Sequence, residues 1–166
     1  TPPAALADFL DGGPPPVYVG FGSMTGNDPE RLTRITLEAL RLSGRRGVLL
    51  SGWAGLADGD LPETVLRLDA APHDWLFPRC AAIVHHCGAG TTHQAARSGV
   101  PSICVPFMMD QPFWAERLHR LGIAPPALNP RKLDAQAVRD AAAVATASGM
   151  RRTAREVAGR LAAEPD

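Results

Sequence analysis

The stretch AAIVHHCGAGTTHQAARSGVPSICV, residues 81–105, decides the fold. Ala81 to His85 is a short apolar run of the kind a fully buried strand carries. The small and polar residues His86-Cys87-Gly88-Ala89-Gly90-Thr91 follow, and Thr92 to Ser98 then reads as a brief alanine-rich helix. Gly99 closes that helix, Pro101 lies beyond it, and Ser102 to Val105 is a second apolar run. Strands joined through a helix run parallel, so the stretch is one βαβ unit.

The same alternation extends outward. Val17 to Phe21 is an apolar and aromatic run that stops at Gly22-Ser23, and it reads as a first strand. Asp28 and Pro29 make a helix start, Leu32, Ile35, Ala39 and Leu40 recur at helical spacing, and Ser43-Gly44 ends the pattern. Gly47 to Ser51 and Val65 to Leu68 add two strands. Downstream, Pro112 opens a helix to Leu121 with Gly122 as its stop, and Asp134 caps a helix running to about Thr146. A last helix spans about Met150 to Ala163. Apolar strands separated by helices predict an α/β domain, a Rossmann-like doubly wound parallel sheet over residues 17–166. Thr1-Pro2-Pro3 and Gly12-Gly13-Pro14-Pro15-Pro16 read as linker, giving residues 1–16 that role, as if the chain continued something longer.

Composition narrows the function classes. A chain of 166 residues suits one domain, and 45% hydrophobic with 20% charged residues is ordinary for a globular protein. Lys plus Arg equals Asp plus Glu at 17 each, which disfavours a nucleic-acid or membrane-surface partner recognised through bulk charge. No apolar run approaches the roughly 20 residues of a membrane span, and the expectation is a cytoplasmic domain. Cys80, Cys87 and Cys104 lack paired short spacings and are expected to be reduced. His85, His86, Cys87 and His93 invite a zinc reading, but neighbouring strand residues face opposite ways, so no metal site is expected from them.

The glycine-threonine loop carries the chemistry. In a parallel sheet, ligands sit beyond the carboxyl ends of the strands, where loops enter helix N-termini. Gly88 and Gly90 are expected to allow a tight turn and close approach, and the N–H groups of Gly90, Thr91 and Thr92 to face outward. With the positive end of a helix behind them, they form an anion cradle suited to a diphosphate. The loop is neither a Walker A motif nor a Gly-x-Gly-x-x-Gly fingerprint. Gly20-Phe21-Gly22-Ser23 ends the first strand on the same edge, within reach of the same phosphates through the Ser23 hydroxyl. The plainer alternative for both loops is a tight strand-to-helix connection. Asp110-Gln111 places a carboxylate beside an amide, matching adjacent sugar hydroxyls; a helix cap before Pro112 is the competing reading.

Ala71-Pro72-His73, His86-Cys87-Gly88-Ala89-Gly90-Thr91-Thr92, Gly99-Val100-Pro101, Pro106 and Asp110-Gln111 together resemble the donor-binding signature of family 1 inverting glycosyltransferases of the GT-B fold. The likeness is to plant secondary-product enzymes, and more closely to bacterial enzymes acting on sterols, macrolides and glycopeptides. It implies that this chain is the C-terminal, nucleotide-sugar-binding half. An N-terminal domain would hold the catalytic base and most of the pocket for a small lipophilic acceptor, so no catalytic residue is expected here. Diphosphate contacts would come from Ser23, His86, Gly88, Gly90, Thr91 and Thr92, sugar contacts from Asp110 and Gln111, and nucleobase or ribose contacts from Trp53, Pro72, His73 and Gln94.

For Trp53 and Trp75, core packing is the competing reading, and His85 and His93 are expected to be structural. Gln94 stands where plant relatives carry a ribose-binding glutamate, which leaves UDP- and dTDP-sugars both open as the donor. The resemblance implies no metal or other cofactor, because amides, the helix dipole and the histidine handle the diphosphate charge. Two other readings use the same fold: a non-catalytic nucleotide-sugar-binding subunit that works with a separate chain, and half of a nucleotide-sugar epimerase.

Overall fold

The computed structural model describes residues 2–21, 29–50 and 61–164. Five strands, β1 (Val17–Gly20), β2 (Gly47–Leu50), β3 (Val65–Leu68), β4 (Ala82–His85) and β5 (Ser102–Cys104), form one sheet in the order β3-β2-β1-β4-β5. Every pairing is parallel. Seven helices connect them among the described residues: α1 (Ala4–Asp11), α2 (Pro29–Ser43), α3 (His73–Leu76), α4 (Ala89–Ser98), α5 (Gln111–Arg120), α6 (Ala135–Ala145) and α7 (Ser148–Ala163). The predicted doubly wound α/β architecture is the one observed.

Strand alternation divides the core. Val17, Val19, Ala82, Val84 and Ile103 pack toward α2 and α6, against Leu32, Ala39, Leu40, Val138 and Ala142. Tyr18, Val48, Leu68 and Ile83 point the other way, onto Leu6 of α1, Leu76 of α3 and Ala95 of α4. Beyond β4 and β5, Cys87, Ala96, Cys104, Ala115, Leu118, Ala154 and Val157 join α4, α5 and α7. Gly99, Gly122 and Asp134 end their helices as expected, while the Asp28 cap lies outside the described residues. Gly99 and Gly122 stop α4 and α5 at φ 76° and 79°, a left-handed backbone in which a side chain is strained. Asp134 Oδ1 accepts the Ala137 N–H at 2.7 Å and caps α6.

The N-terminal segment corrects the linker reading. Residues 4–11 form α1, whose Leu6 is fully buried, with Phe9 and Leu10 packed against the same cluster. Arg46 lies 3.8 Å over the Phe9 ring and donates to the Phe9 and Pro14 carbonyls, tying this segment to the start of β2. The Ala81 N–H donates to the Pro16 carbonyl at 2.7 Å. Flanking prolines and glycines dominate the local signal, while the helix draws its stability from apolar contacts distant in sequence.

No described helix is long and apolar enough to cross a membrane. Leu6→Ala is expected to destabilise the domain by about 2–5 kcal/mol in urea unfolding, the cost of emptying a fully buried leucine site; a linker residue would show no change.

Candidate functional site

Topology chooses the location. Strand order reverses between β1 and β4, so their carboxyl ends flank the crevice where doubly wound sheets take ligands. Register sets Gly20 beside His85 and His85 beside Cys104, a row at that edge. Every candidate within the described residues follows the carboxyl end of a strand: Pro72 and His73 after β3, His86 to Thr92 and Gln94 after β4, Asp110 and Gln111 after β5. Ser23 and Trp53 lie outside the described residues.

The β4–α4 loop differs from its sequence reading in three respects. Its turn is made by Cys87, at φ 69°, and by neither glycine. His85 supports that strained backbone: its Nδ1 accepts the Cys87 N–H at 3.1 Å. In the neutral ring the proton is then on Nε2, which donates to Ser102 Oγ at 2.9 Å. Second, α4 begins at Ala89 with Gly88 as its N-cap, so the unpaired amides are those of Ala89, Gly90 and Thr91. The Thr92 N–H donates to the Gly88 carbonyl at 2.9 Å and is not available. Third, Gly88 is required for its neighbour's sake, because a Cβ there would stand 2.8 Å from His86 Nε2. A Cβ at Gly90 would meet no atom within 4 Å among the described residues, and the position is exposed.

The His86 imidazole is thus laid against the mouth of α4, half-buried, with Nδ1 enclosed and lacking a hydrogen-bond partner among the described residues. Thr92 Oγ1 is in the same condition. Burial, and secondarily the nearby His85, lower the His86 pKa below the ordinary histidine value. The ring is therefore neutral at pH 7.

The second small-residue loop has an internal role at Gly20. A Cβ there would fall 2.3 Å from the Tyr18 hydroxyl, so the glycine makes room for that ring. Tyr18 Oη lies 3.2 Å from His73 Nε2, and the His73 ring stacks on Phe77 at 4.4 Å. Burial lowers the His73 pKa and raises that of the Tyr18 phenol. His73 is thus bound into an aromatic cluster, while Pro72, half-buried, is the N-cap of α3.

At the β5–α5 turn, Gln111 is buried and its Oε1 accepts the N–H groups of Phe107 and Met108, at 2.7 and 3.1 Å. Its carbonyl shapes the turn, which leaves the amide nitrogen for other partners. Asp110 is exposed, and its Oδ2 accepts the Trp114 indole N–H at 3.0 Å. Gln94 is exposed on α4.

One cluster escaped the sequence reading. Potential ligand atoms of His85, Cys87 and Cys104, all buried, lie within 4.8 Å of one another; His86 and His93 are not among them. Both His85 nitrogens already serve protein partners. A hydrogen bond from Cys104 lowers the Cys87 pKa and raises that of Cys104. The cue was the strand register, which a spacing search does not contain.

The strand order and the loops beyond its switch point are those of a Rossmann-like α/β domain with a crevice at the carboxyl edge of the sheet. Residues 52–166 match the family model "Erythromycin biosynthesis protein CIII-like, C-terminal domain", and the chain belongs to that family. It is 49% identical over 125 residues to a sterol 3-beta-glucosyltransferase of Arabidopsis thaliana, covering 75% of this chain and 20% of that protein. It is 48% identical over 118 residues to the vancomycin aglycone glucosyltransferase of Amycolatopsis orientalis, covering 71% of this chain and 28% of that one. The chain therefore spans under a third of the length of these two relatives. The crystal structure of a UDP-glucose:anthocyanidin 3-O-glucosyltransferase shares the fold, with a TM-score of 0.82 at 19% identity over 98% of this chain and 39% of that one.

Gly88→Ala is expected to leave the domain folded but to swing the His86 ring away, seen as a shift of its imidazole NMR signals, because the clash is with a side-chain end. Gly90→Ala is expected to be neutral or stabilising by up to about 1 kcal/mol, as for alanine over glycine in a helix.

Proposed function

We propose that this domain binds a nucleoside diphosphate sugar, UDP- or dTDP-linked. In the full-length protein it serves as the donor half of an inverting glycosyltransferase acting in the cytoplasm. The sugar is a hexose or deoxyhexose, and the acceptor is a hydroxyl of a lipophilic molecule such as a sterol or polyketide. One observation carries the reading: the unpaired amides of Ala89, Gly90 and Thr91 open beside a neutral imidazole at the sheet's switch point. The relatives support it, two of them being named as glucosyltransferases for a sterol and for the vancomycin aglycone. They give no support to a non-catalytic subunit or an epimerase half.

The chemistry follows from that donor set. Transfer with inversion is an in-line displacement at the anomeric carbon, and negative charge grows on the departing diphosphate. Amide dipoles fixed before the reaction stabilise that charge without reorganising. His86 adds a hydrogen bond that strengthens as the oxygen becomes more anionic. Asp110 and the Gln111 amide nitrogen are assigned to the sugar hydroxyls. Pro72, His73 and Gln94 border the nucleobase and ribose, a role that Trp53 shares in this reading, and Ser23 is assigned to the phosphates. The base that deprotonates the acceptor is assigned to a second domain.

Calorimetric titration with UDP, dTDP and their glucose esters tests the reading. Binding of at least one at millimolar concentration or below is expected, and His86→Ala is expected to weaken it. If none of the four binds, the proposal is wrong.

The pH dependence has a defined sign. His86 is neutral in the free domain, and a bound diphosphate raises its pKa, so binding takes up a proton. Affinity is therefore expected to rise as pH falls from 8 toward 6. Proton uptake, read from calorimetry in buffers of different ionisation enthalpy, is expected to shrink in His86→Ala; equal uptake in both proteins would remove His86 from the site.

A further inference from the structure

Aspartate is among the preferred helix N-cap residues because its carboxylate accepts a first-turn N–H. Asp110 occupies that position in α5, yet its side chain caps no backbone group. Its Oδ2 instead accepts the Trp114 indole N–H at 3.0 Å, and its backbone carbonyl accepts the Trp114 backbone N–H at 3.2 Å. One residue thus holds Asp110 by both main chain and side chain. The indole is itself fixed: the His93 ring from α4 meets it edge to face at 5.2 Å and Phe113 at 5.1 Å, and its inner side packs on the cluster containing Ala115 and Leu118.

We infer that Trp114 is a positioning residue for sugar recognition. Its indole N–H holds one carboxylate oxygen of Asp110 so that Oδ1 is presented to the hydroxyls of the donor sugar. The His93 contact ties that carboxylate to α4, whose N-terminus takes the diphosphate. This rests on the donor-binding reading, in which Asp110 meets the sugar. An exposed carboxylate turns freely and loses that freedom on binding a ligand, whereas a carboxylate already held loses little. A purely structural tryptophan would need only its ring faces and edges, which phenylalanine largely supplies. The N–H is the separable part.

The test compares Trp114→Phe and Asp110→Asn by titration with UDP, dTDP, UDP-glucose and dTDP-glucose. Trp114→Phe is expected to weaken the glucose esters about three- to tenfold, the range for the net loss of one hydrogen bond at an exposed site, while the free diphosphates change by less than about twofold. The double variant is expected to be no worse than Asp110→Asn alone, since the two residues act as one unit. If Asp110→Asn lowers the preference for the glucose esters and Trp114→Phe does not, the positioning role is overturned and donor binding stands. If Asp110→Asn leaves that preference unchanged, the sugar role of Asp110 fails and the inference falls with it; if nothing binds to the unaltered chain, the donor-binding reading itself fails. A ligand-free measurement decides the case in which Trp114→Phe is poorly folded. The Trp114 indole N–H signal is expected to move in Asp110→Asn more than that of Trp75, and an unmoved signal overturns the proposal.

Discussion

Parallel pairing of β1 with β4, with strand order reversing between them, is the constraint on which the rest of the molecule depends. A reversal sends the helices following the two strands to opposite faces, α2 to one and α4 to the other, so among the described residues no helix covers the gap above their carboxyl ends. The register then determines what stands there. Gly20 is opposite His85, and the space its missing side chain leaves is filled by Tyr18, whose hydroxyl reaches toward His73. A one-residue slip would bring Phe21 into that place and exchange the two buried faces of β1, setting Tyr18 against the residues that now pack on Val17 and Val19. Site and core are set by the same register.

Above that edge the loop is both strained and supported. A non-glycine residue at positive φ costs about 1–3 kcal/mol, and Cys87 adopts one at the point where β4 must turn into α4. The His85 nitrogen that accepts the Cys87 N–H, and the Ser102 hydroxyl beyond it, brace the turn from below. His85 and Ser102 are themselves fully buried, so this support cannot exchange with water. The amides at the start of α4 are therefore aimed by the core and need no ligand to order them.

Much of the fold was legible because local chemistry and tertiary structure agree. Gly99, Gly122 and Asp134 announce helix ends that packing also demands, and β4 is apolar because both its faces are covered. Disagreement arose where distance in sequence decides. Leu6 is buried by residues of β2, β3 and β4, while the prolines and glycines around α1 signal only a linker. Gly20 serves Tyr18, and Gly88 serves His86; a list of glycines does not say which approach they permit. Locating the free amides requires the true start of α4, which lies at Ala89 because glycine is a tolerated N-cap there. The tie between Asp110 and Trp114, by contrast, is a four-residue spacing that was visible in principle and was masked by the more familiar cap.

Two adjacent histidines show how structure and function separate in this fold. His85 has both ring nitrogens paired and no exposed surface, and each of its bonds serves the turn. His86, on the opposite side of the chain, keeps Nδ1 buried and unpartnered among the described residues, as Thr92 keeps its hydroxyl. Leaving a buried polar atom unsatisfied costs about 1–3 kcal/mol, so two of them on neighbouring turns are a burden to folding alone. On the donor-binding proposal that cost is offset by the adjoining amides of Ala89, Gly90 and Thr91, which are fixed in place and meet an anionic oxygen without reorganising. The lowered pKa of His86 belongs to the same arrangement. Burial keeps that ring neutral, so it does not draw in counter-ions, and on the donor-binding proposal it gains charge only as the diphosphate arrives. On the donor-binding proposal, the cost that the free loop bears and its affinity for a diphosphate have one physical origin.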